Sequence, residues 1–349
     1  MSGKRQHYIP RFLQRGFLMG NSKKENTYMY LNGGAQRPSN INNVGVEGFF
    51  YSVDGDAELD DMYTRLESDY ASIINKIREQ PFAEFDKSDL AKIVYHFELR
   101  TNNLRRSFFS SSKIFLDEMT GRFLKIDVLK PLIEKELKRS ILNGSVIADV
   151  FDNLGIPKQN RDALFEHILP MIEINIESYI NSVIEPIKNS FKLSVNEKLK
   201  SAIKEGHING MLMNTSKNPK LEVYEKLNYS VIKTNFNLIL GDSIVFFEFE
   251  NLREFKPFYD IKNNLNSVYL PISSNLFVFG TKNNSEPKIE IFNEMGAKCS
   301  SEFFIASEIS SDFSSLQHHI GKNCDLLTDT EMQNILNNVI AEQMSRKLL

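Results

Sequence analysis

The sequence predicts an α+β fold. Two observations carry the prediction. Aromatic and β-branched runs of strand character gather towards the two ends of the chain, and a long stretch with apolar residues at spacings of three and four fills the middle. The expected architecture is a mixed sheet built from N- and C-terminal strands with a large helical middle region. The 349 residues are 41% hydrophobic, with 26 Phe and 12 Tyr but no Trp, so the core this fold buries is an aromatic one.

Residues 1–57 read as turns and short strands. Gly33-Gly34, Pro38 and the Asn40, Asn42, Asn43 cluster are turn formers. Tyr28–Leu31 and Gly48–Tyr51 suit a pleated surface. The period changes at Glu58. Leu59, Met62, Leu66, Tyr70, Ile73 and Ile77 form a helical stripe, with Asp60, Asp61, Glu67 and Lys76 off it. A second helix starts near Asp86 or Ser88 and carries Leu90, Ile93, Val94 and Phe97. Helical patterns follow over Lys113–Leu124, Leu132–Leu142 and from Arg161 onward, with a turn at Gly155-Ile156-Pro157. Pro170 and Pro186 mark breaks or kinks. Ser194-Val195-Asn196-Glu197 spells a capping box, and Gly206 and Gly210 end the helix it opens.

From residue 219 strand character returns. Tyr229–Ile232, Phe236–Leu240 and Ile244–Phe249 are candidates, the last two separated by the turn Gly241-Asp242-Ser243. Val268–Pro271, Leu276–Phe279 and Ile289–Ile291 are further strands, and a helix follows near Asn293–Cys299. A second capping box, Thr328-Asp329-Thr330-Glu331, opens a terminal helix with Met332, Ile335, Leu336, Val339 and Ile340 on one face. The N-terminal strands are too few for a sheet of their own. Residues 1–57 therefore pack with 219–349 as one composite domain, and 58–218 is an insertion.

Lys and Arg total 42 against 45 Asp and Glu, a net charge of -3, which excludes a globally basic nucleic-acid binder but not a local basic site. Two cysteines, Cys299 and Cys324, and no CxxC argue against a thiolate zinc site and do not make a disulfide scaffold. His7–Gly20 is interrupted by Pro10, Arg11, Gln14 and Arg15, unlike a secretory signal, and no apolar run approaches the ~20 residues of a membrane span. These features predict a cytoplasmic protein with no membrane partner.

Lys4-Arg5-Gln6-His7-Tyr8-Ile9-Pro10-Arg11-Phe12-Leu13, continuing to Phe17, resembles the opening of domain-of-unknown-function family 4238, a mainly microbial family that begins His-Tyr-x-Pro-x-Phe. The resemblance continues along the chain. Leu99-Arg100-Thr101 resembles a family helix ending in Arg-Thr-Pro, with Asn102 in place of the proline. Gly241-Asp242-Ser243 resembles a Ser-Asp-x-Pro turn, with Ile244 in place of the proline. Leu270-Pro271-Ile272-Ser273 resembles a later Pro-Leu-Ser step. The family carries no established activity, so the resemblance implies organisation rather than chemistry.

Chemistry has three candidate locations. His7, flanked by Lys4, Arg5 and Arg11, suits a general base or a phosphate contact, or else a buried histidine satisfied by backbone while Tyr8, Ile9 and Phe12 anchor the segment. The first 24 residues hold six basic side chains and no acidic one. Arg100, Arg105 and Arg106 suit a phosphate clamp, or cations placed at a helix C-terminus. His96 shares a helical face with Arg100. Asp242 suits a metal-binding carboxylate at a strand end, or a turn aspartate that caps backbone. With Asp260-Ile261-Lys262 it forms an Asp…Asp-x-Lys layout, in which two carboxylates hold Mg²⁺ or Mn²⁺ and the lysine activates water. Glu248 and Glu250 share a strand face and either bind metal or meet solvent. His167, His207 and the His318-His319 pair carry no chelating pattern, and neither GxxxxGK[ST] nor GxSxG occurs.

Two functional expectations follow. In the first, His7, Arg100 and Asp242 are catalytic, Lys4, Arg5, Arg11, Arg105 and Arg106 bind phosphate, and Asp242 with Asp260 holds the metal. The protein is then a metal-dependent nuclease, or another effector acting on nucleic acid or nucleotide in phage defence. In the second, the chain is a non-catalytic binding or sensing module that recognises a protein or nucleotide. Convergence of His7, Arg100 and Asp242 on one cleft separates the two.

Overall fold

The computed structural model describes residues 5–20, 24–52, 58–123, 151–212, 218–250 and 254–327, with scattered positions between 125 and 135 and between 330 and 338. It is an α+β protein in which all strand pairings are antiparallel among the described residues.

Strand β1 (Arg5–His7) pairs with β4 (Val46–Gly48). Between them Pro10 starts the single-turn helix α1 (Arg11–Gln14), and β2 (Asn26–Leu31) forms a hairpin with β3 (Arg37–Asn40). β2 then takes β10 (Phe303–Ala306) on its other side, and β10 pairs with the short β6 (Leu240–Gly241), giving the order β3-β2-β10-β6. The N- and C-terminal strands thus share a sheet. A separate sheet, β5-β9-β8-β7, comprises β5 (Asn228–Lys233), β7 (Phe246–Phe249), β8 (Leu265–Ser273) and β9 (Leu276–Thr281).

Helix α2 (Glu58–Glu79) has acidic residues in its first turn and Lys76 and Arg78 in its last, as the helix dipole favours. It buries Leu59, Tyr63, Tyr70, Ile74 and Ile77. Helix α3 (Lys87–Leu99) starts where Asp86 accepts a hydrogen bond from the Ser88 amide at 2.8 Å, and ends with Arg100 as its C-cap. Helix α4 (Asn102–Phe123) follows at once, and α5 (Arg161–Leu212) is a 52-residue helix. Helices α6 (Pro219–Glu225), α7 (Phe292–Cys299) and α8 (Ser311–Leu316) are short. No described helix is long and apolar enough to cross a membrane.

The chain divides into two compact units, 1–111 with 201–349, and 112–200. These borders fall inside α4 and α5 rather than at 58 and 218. Helices α2 and α3 belong to the larger unit because their apolar faces join one core with β7, β8 and β9. That core is aromatic. Phe246 stacks on Tyr269 at 5.1 Å between ring centroids, and Phe292 packs on Phe277 at 4.6 Å.

Several local expectations differ from the structure. Gly48–Tyr51 is not a strand, since β4 stops at Gly48 and Phe49 turns the chain with φ 53°, carrying Phe50 and Tyr51 inward. Phe236–Leu240 is irregular up to Leu240. Its backbone is satisfied instead by Asn293, whose side chain accepts from the Ile239 amide at 3.0 Å and donates to the Asn237 carbonyl at 2.9 Å. Ile289–Ile291 is a 3-10 turn leading into α7. Helix α5 runs through the Ser194–Glu197 box, Gly206 and Gly210, and Pro170 and Pro186 lie within it without breaking it. An S-x-x-E spacing also fits an exposed helix surface, and glycine inside a long helix costs only about 1 kcal/mol. The expected helix at 132–142 lies outside the described residues except at Lys135. So do Thr328, Asp329, Leu336, Val339 and Ile340 of the terminal element, of which 330–335 is helical.

Candidate functional site

The motif segment is held from both sides by buried arginines. The α3 C-cap conformation sends Arg100 into the core, where it is 0% exposed. Its Nη1 donates to Glu67 Oε1 at 2.7 Å and to His96 Nε2 at 3.0 Å. Its Nη2 donates to the His7 carbonyl at 2.5 Å and to the Tyr51 hydroxyl at 2.6 Å. The Tyr51 hydroxyl in turn donates to the same His7 carbonyl at 2.9 Å. The guanidinium also lies 5.6 Å from the Tyr51 ring centroid and 5.5 Å from that of Tyr63. Burial opposes its charge, but Glu67 and Tyr51 outweigh burial and hold its pKa above the ordinary value.

A guanidinium has no acceptor, so His96 Nε2 is the acceptor and the imidazole proton sits on Nδ1. Burial and the Arg100 charge push His96 well below the usual histidine range, which keeps it neutral. His7 itself is half-buried. Its Nε2 donates to the Ile41 carbonyl at 3.1 Å, and burial, helped by Arg11 and Arg100, lowers its pKa. Arg100 therefore meets His7 through the backbone, not through the ring.

Arg105 grips the other end of the same ladder. Its Nη2 donates to the Phe50 carbonyl at 2.8 Å, its Nη1 meets Glu47 at 3.4 Å, and its guanidinium lies over the Phe50 ring at 4.0 Å. Its Nε donates to His207 Nδ1 at 3.2 Å, which leaves Nε2–H of His207 to donate to the Leu99 carbonyl at 2.6 Å. Burial and Arg105 lower the His207 pKa to about 4.

Asp242 stands in the turn after β6 and is 3% exposed. Its Oδ1 accepts from the Ser301 amide at 2.7 Å. Its Oδ2 accepts from the Glu302 amide at 2.7 Å, the Ser301 hydroxyl at 3.3 Å and the Phe303 amide at 3.4 Å. Burial pushes its pKa up to about 6, against the pull of the three amides. The carboxylate thus fastens the start of β10 to the β6 turn. Tyr8, just past the end of β1, has its pKa raised by burial, to which the charges of Asp242, Glu302 and Glu47 add.

His7 and Arg100 are brought together, and Asp242 is committed elsewhere, to residues 301–303. Asp242 and Asp260, the expected metal pair, each have backbone partners of their own. Asp260 is exposed and its Oδ1 caps its own turn, accepting from the Lys262 amide at 3.0 Å. Among the described residues no group of three or more His, Cys, Asp or Glu could hold a metal ion. The expected phosphate ligands also have internal partners. Arg5 donates to Asn43 Oδ1 at 2.8 Å, Arg11 and Arg15 share Glu25 at 2.8 Å each, and Arg106 pairs with Glu302. Lys4 lies outside the described residues. Glu248 does not face solvent. It is 8% exposed, accepts from Ser267 Oγ at 2.6 Å and is neutralised by Lys288 at 2.5 Å.

Sequence reasoning missed Glu67, Tyr51 and Tyr63, which surround Arg100. It also missed Glu98, a buried carboxylate that accepts from Lys220, Tyr224 and the Tyr259 amide. The one available signal for the first group was His96 four residues before Arg100.

Comparison with known proteins adds one match. The model of a family described as Protein of unknown function (DUF4238) covers residues 5–347. No curated protein and no solved structure matches. A match over nearly the whole chain means that this protein belongs to the DUF4238 family.

Proposed function

We propose that the chain is a non-catalytic binding or sensing module. The observation that supports this reading is where the polar atoms of the three candidate catalytic residues go. A catalytic carboxylate must offer a lone pair to a metal, a water or a substrate. Both oxygens of Asp242 instead take backbone amides. A phosphate clamp must present guanidinium donors outward. Both terminal nitrogens of Arg100 are used on His7, Tyr51, His96 and Glu67 inside the core. The ring of His7 is pinned through Nε2 to Ile41. These roles hold the motif segment against α2 and α3, and hold β10 against β6.

The test pairs activity with stability. Purified protein is incubated with plasmid, single-stranded DNA and RNA in the presence of Mg²⁺ or Mn²⁺, and no cleavage is expected. Arg100→Ala, His7→Ala and Asp242→Ala are expected to lose melting temperature in step with any loss of biological effect. Cleavage that disappears in a variant whose melting temperature is unchanged overturns the reading.

A further inference from the structure

We propose that the cleft between α6, the 254–264 loop and the adjoining ends of β8 and β9 binds a small organic anion with an apolar body. This deepens the binding-module reading and rests on it. The cleft has a volume of about 210 Å³ and is walled by Val223, Leu227 and Leu265, with Tyr259 behind and Lys226 and Lys282 alongside. Drug-sized sites run to roughly 300–1,000 Å³. This one suits a single ring or branched chain carrying one charged group.

The back wall is rigid. Glu98 is 1% exposed and joins α3 to both sides of the cleft. It accepts from the Tyr259 amide at 2.8 Å, from the Tyr224 hydroxyl at 2.7 Å and from Lys220 at 2.6 Å, the last two on α6. A wall fixed by a satisfied buried carboxylate is organised before any ligand arrives, so little ordering cost falls on binding. The rim, by contrast, has charge to spare. Lys282 meets Glu250 only at 3.6 Å, and the Lys226 ammonium has no hydrogen bond or ion pair among the described residues. Of the side chains that line the cleft two are lysines and none is acidic, which gives an apolar cleft a basic edge. Ile261, 51% exposed, extends the apolar lining to the surface. An anion with an apolar body satisfies both features, whereas a neutral apolar ligand leaves the lysines unused and an inorganic ion leaves the walls unused.

The experiment uses the full chain with phenylacetate, 4-methylpentanoate and phenyl phosphate as probes and phenylacetamide as the uncharged comparison, read by calorimetry and thermal shift. At least one anion is expected to bind about tenfold more tightly than phenylacetamide, with affinity falling as salt rises. Lys226→Met/Lys282→Met is expected to remove that preference at unchanged melting temperature, and Val223→Trp to fill the cleft and abolish binding. Absence of binding by every probe overturns the proposal, as does binding that both variants leave intact. Failure of the parent reading looks different: nucleic-acid cleavage, or turnover of phenyl phosphate, would appear in the activity assay whatever the cleft binds.

Discussion

Arg100→Met removes the charge that joins α2, α3, β1 and the 49–51 turn while keeping most of the side-chain volume. The His7 carbonyl keeps one donor, the Tyr51 hydroxyl. Glu67 is 27% exposed on its side chain and can recover water. His96 Nε2 is left buried without a donor, which costs about 1–3 kcal/mol. Removing one partner of a buried ion pair costs about 3–5 kcal/mol in all, so that is the expected destabilisation. For a unit of this size it corresponds to a fall in melting temperature of roughly 6–20 °C. Urea unfolding followed by near-UV circular dichroism is a suitable assay, because the chain has 12 Tyr and no Trp and the affected rings are Tyr51 and Tyr63. Glu67→Leu alone leaves Arg100 charged and unpaired. The double variant Arg100→Met/Glu67→Leu is expected to be less damaging than the sum of the singles. A loss below about 1 kcal/mol for Arg100→Met at unchanged m-value, or strict additivity in the double variant, would refute the structural role of this pair.

Two further outcomes are expected. Gly45 has φ 61°, and a Cβ there would lie 2.7 Å from the Ile9 side chain; Gly33 has φ 67° with nothing near. Gly45→Ala should therefore cost about 2–4 kcal/mol and Gly33→Ala about 1–2 kcal/mol, and equal losses would show that the contact with Ile9 is immaterial. Asp242 has a folded pKa raised to about 6 from 3.8, so the stability it contributes is complete below about pH 4 and is lost as pH rises through 6. That shift is worth about 3 kcal/mol. Denaturant titrations at pH 4 and pH 7 should show the wild type losing that much more than Asp242→Asn, and an identical pH dependence in the two proteins would contradict the assignment.

Elements with a sustained period were legible in the sequence. The stripe from Leu59 to Ile77 and the cap at Asp86 mark α2 and α3 because local spacing alone dictates them. β5, β8 and β9 were legible because β-branched and aromatic residues run together there. β10 was not: four residues, Phe303–Ala306, are too few for a pattern, and their place between β2 and β6 is set by long-range pairing. Glu67 reads as a solvent-facing residue because it lies off the apolar stripe, yet Arg100 draws it into an ion pair. Candidate residues could be picked by type and flanking charge. Whether a carboxylate such as Asp242 is open to a ligand or already occupied by amides depends on a segment some sixty residues away in the chain.

The pairing of β2 with β10 also constrains how the protein is made. Thr27 donates to the Ala306 carbonyl at 2.9 Å, and the Asn32 amide to the Glu302 carbonyl at 3.0 Å. A ribosome adding about 5–20 residues per second needs roughly 15–55 s to travel from the first of these strands to its partner. Throughout that interval the β2–β3 hairpin has an open edge, which is a template for pairing with a neighbouring nascent chain. Closure of this sheet has a high contact order and is expected late in folding. Expression at reduced temperature or with holdase chaperones should therefore raise the soluble yield by shielding the β2 edge until β10 arrives.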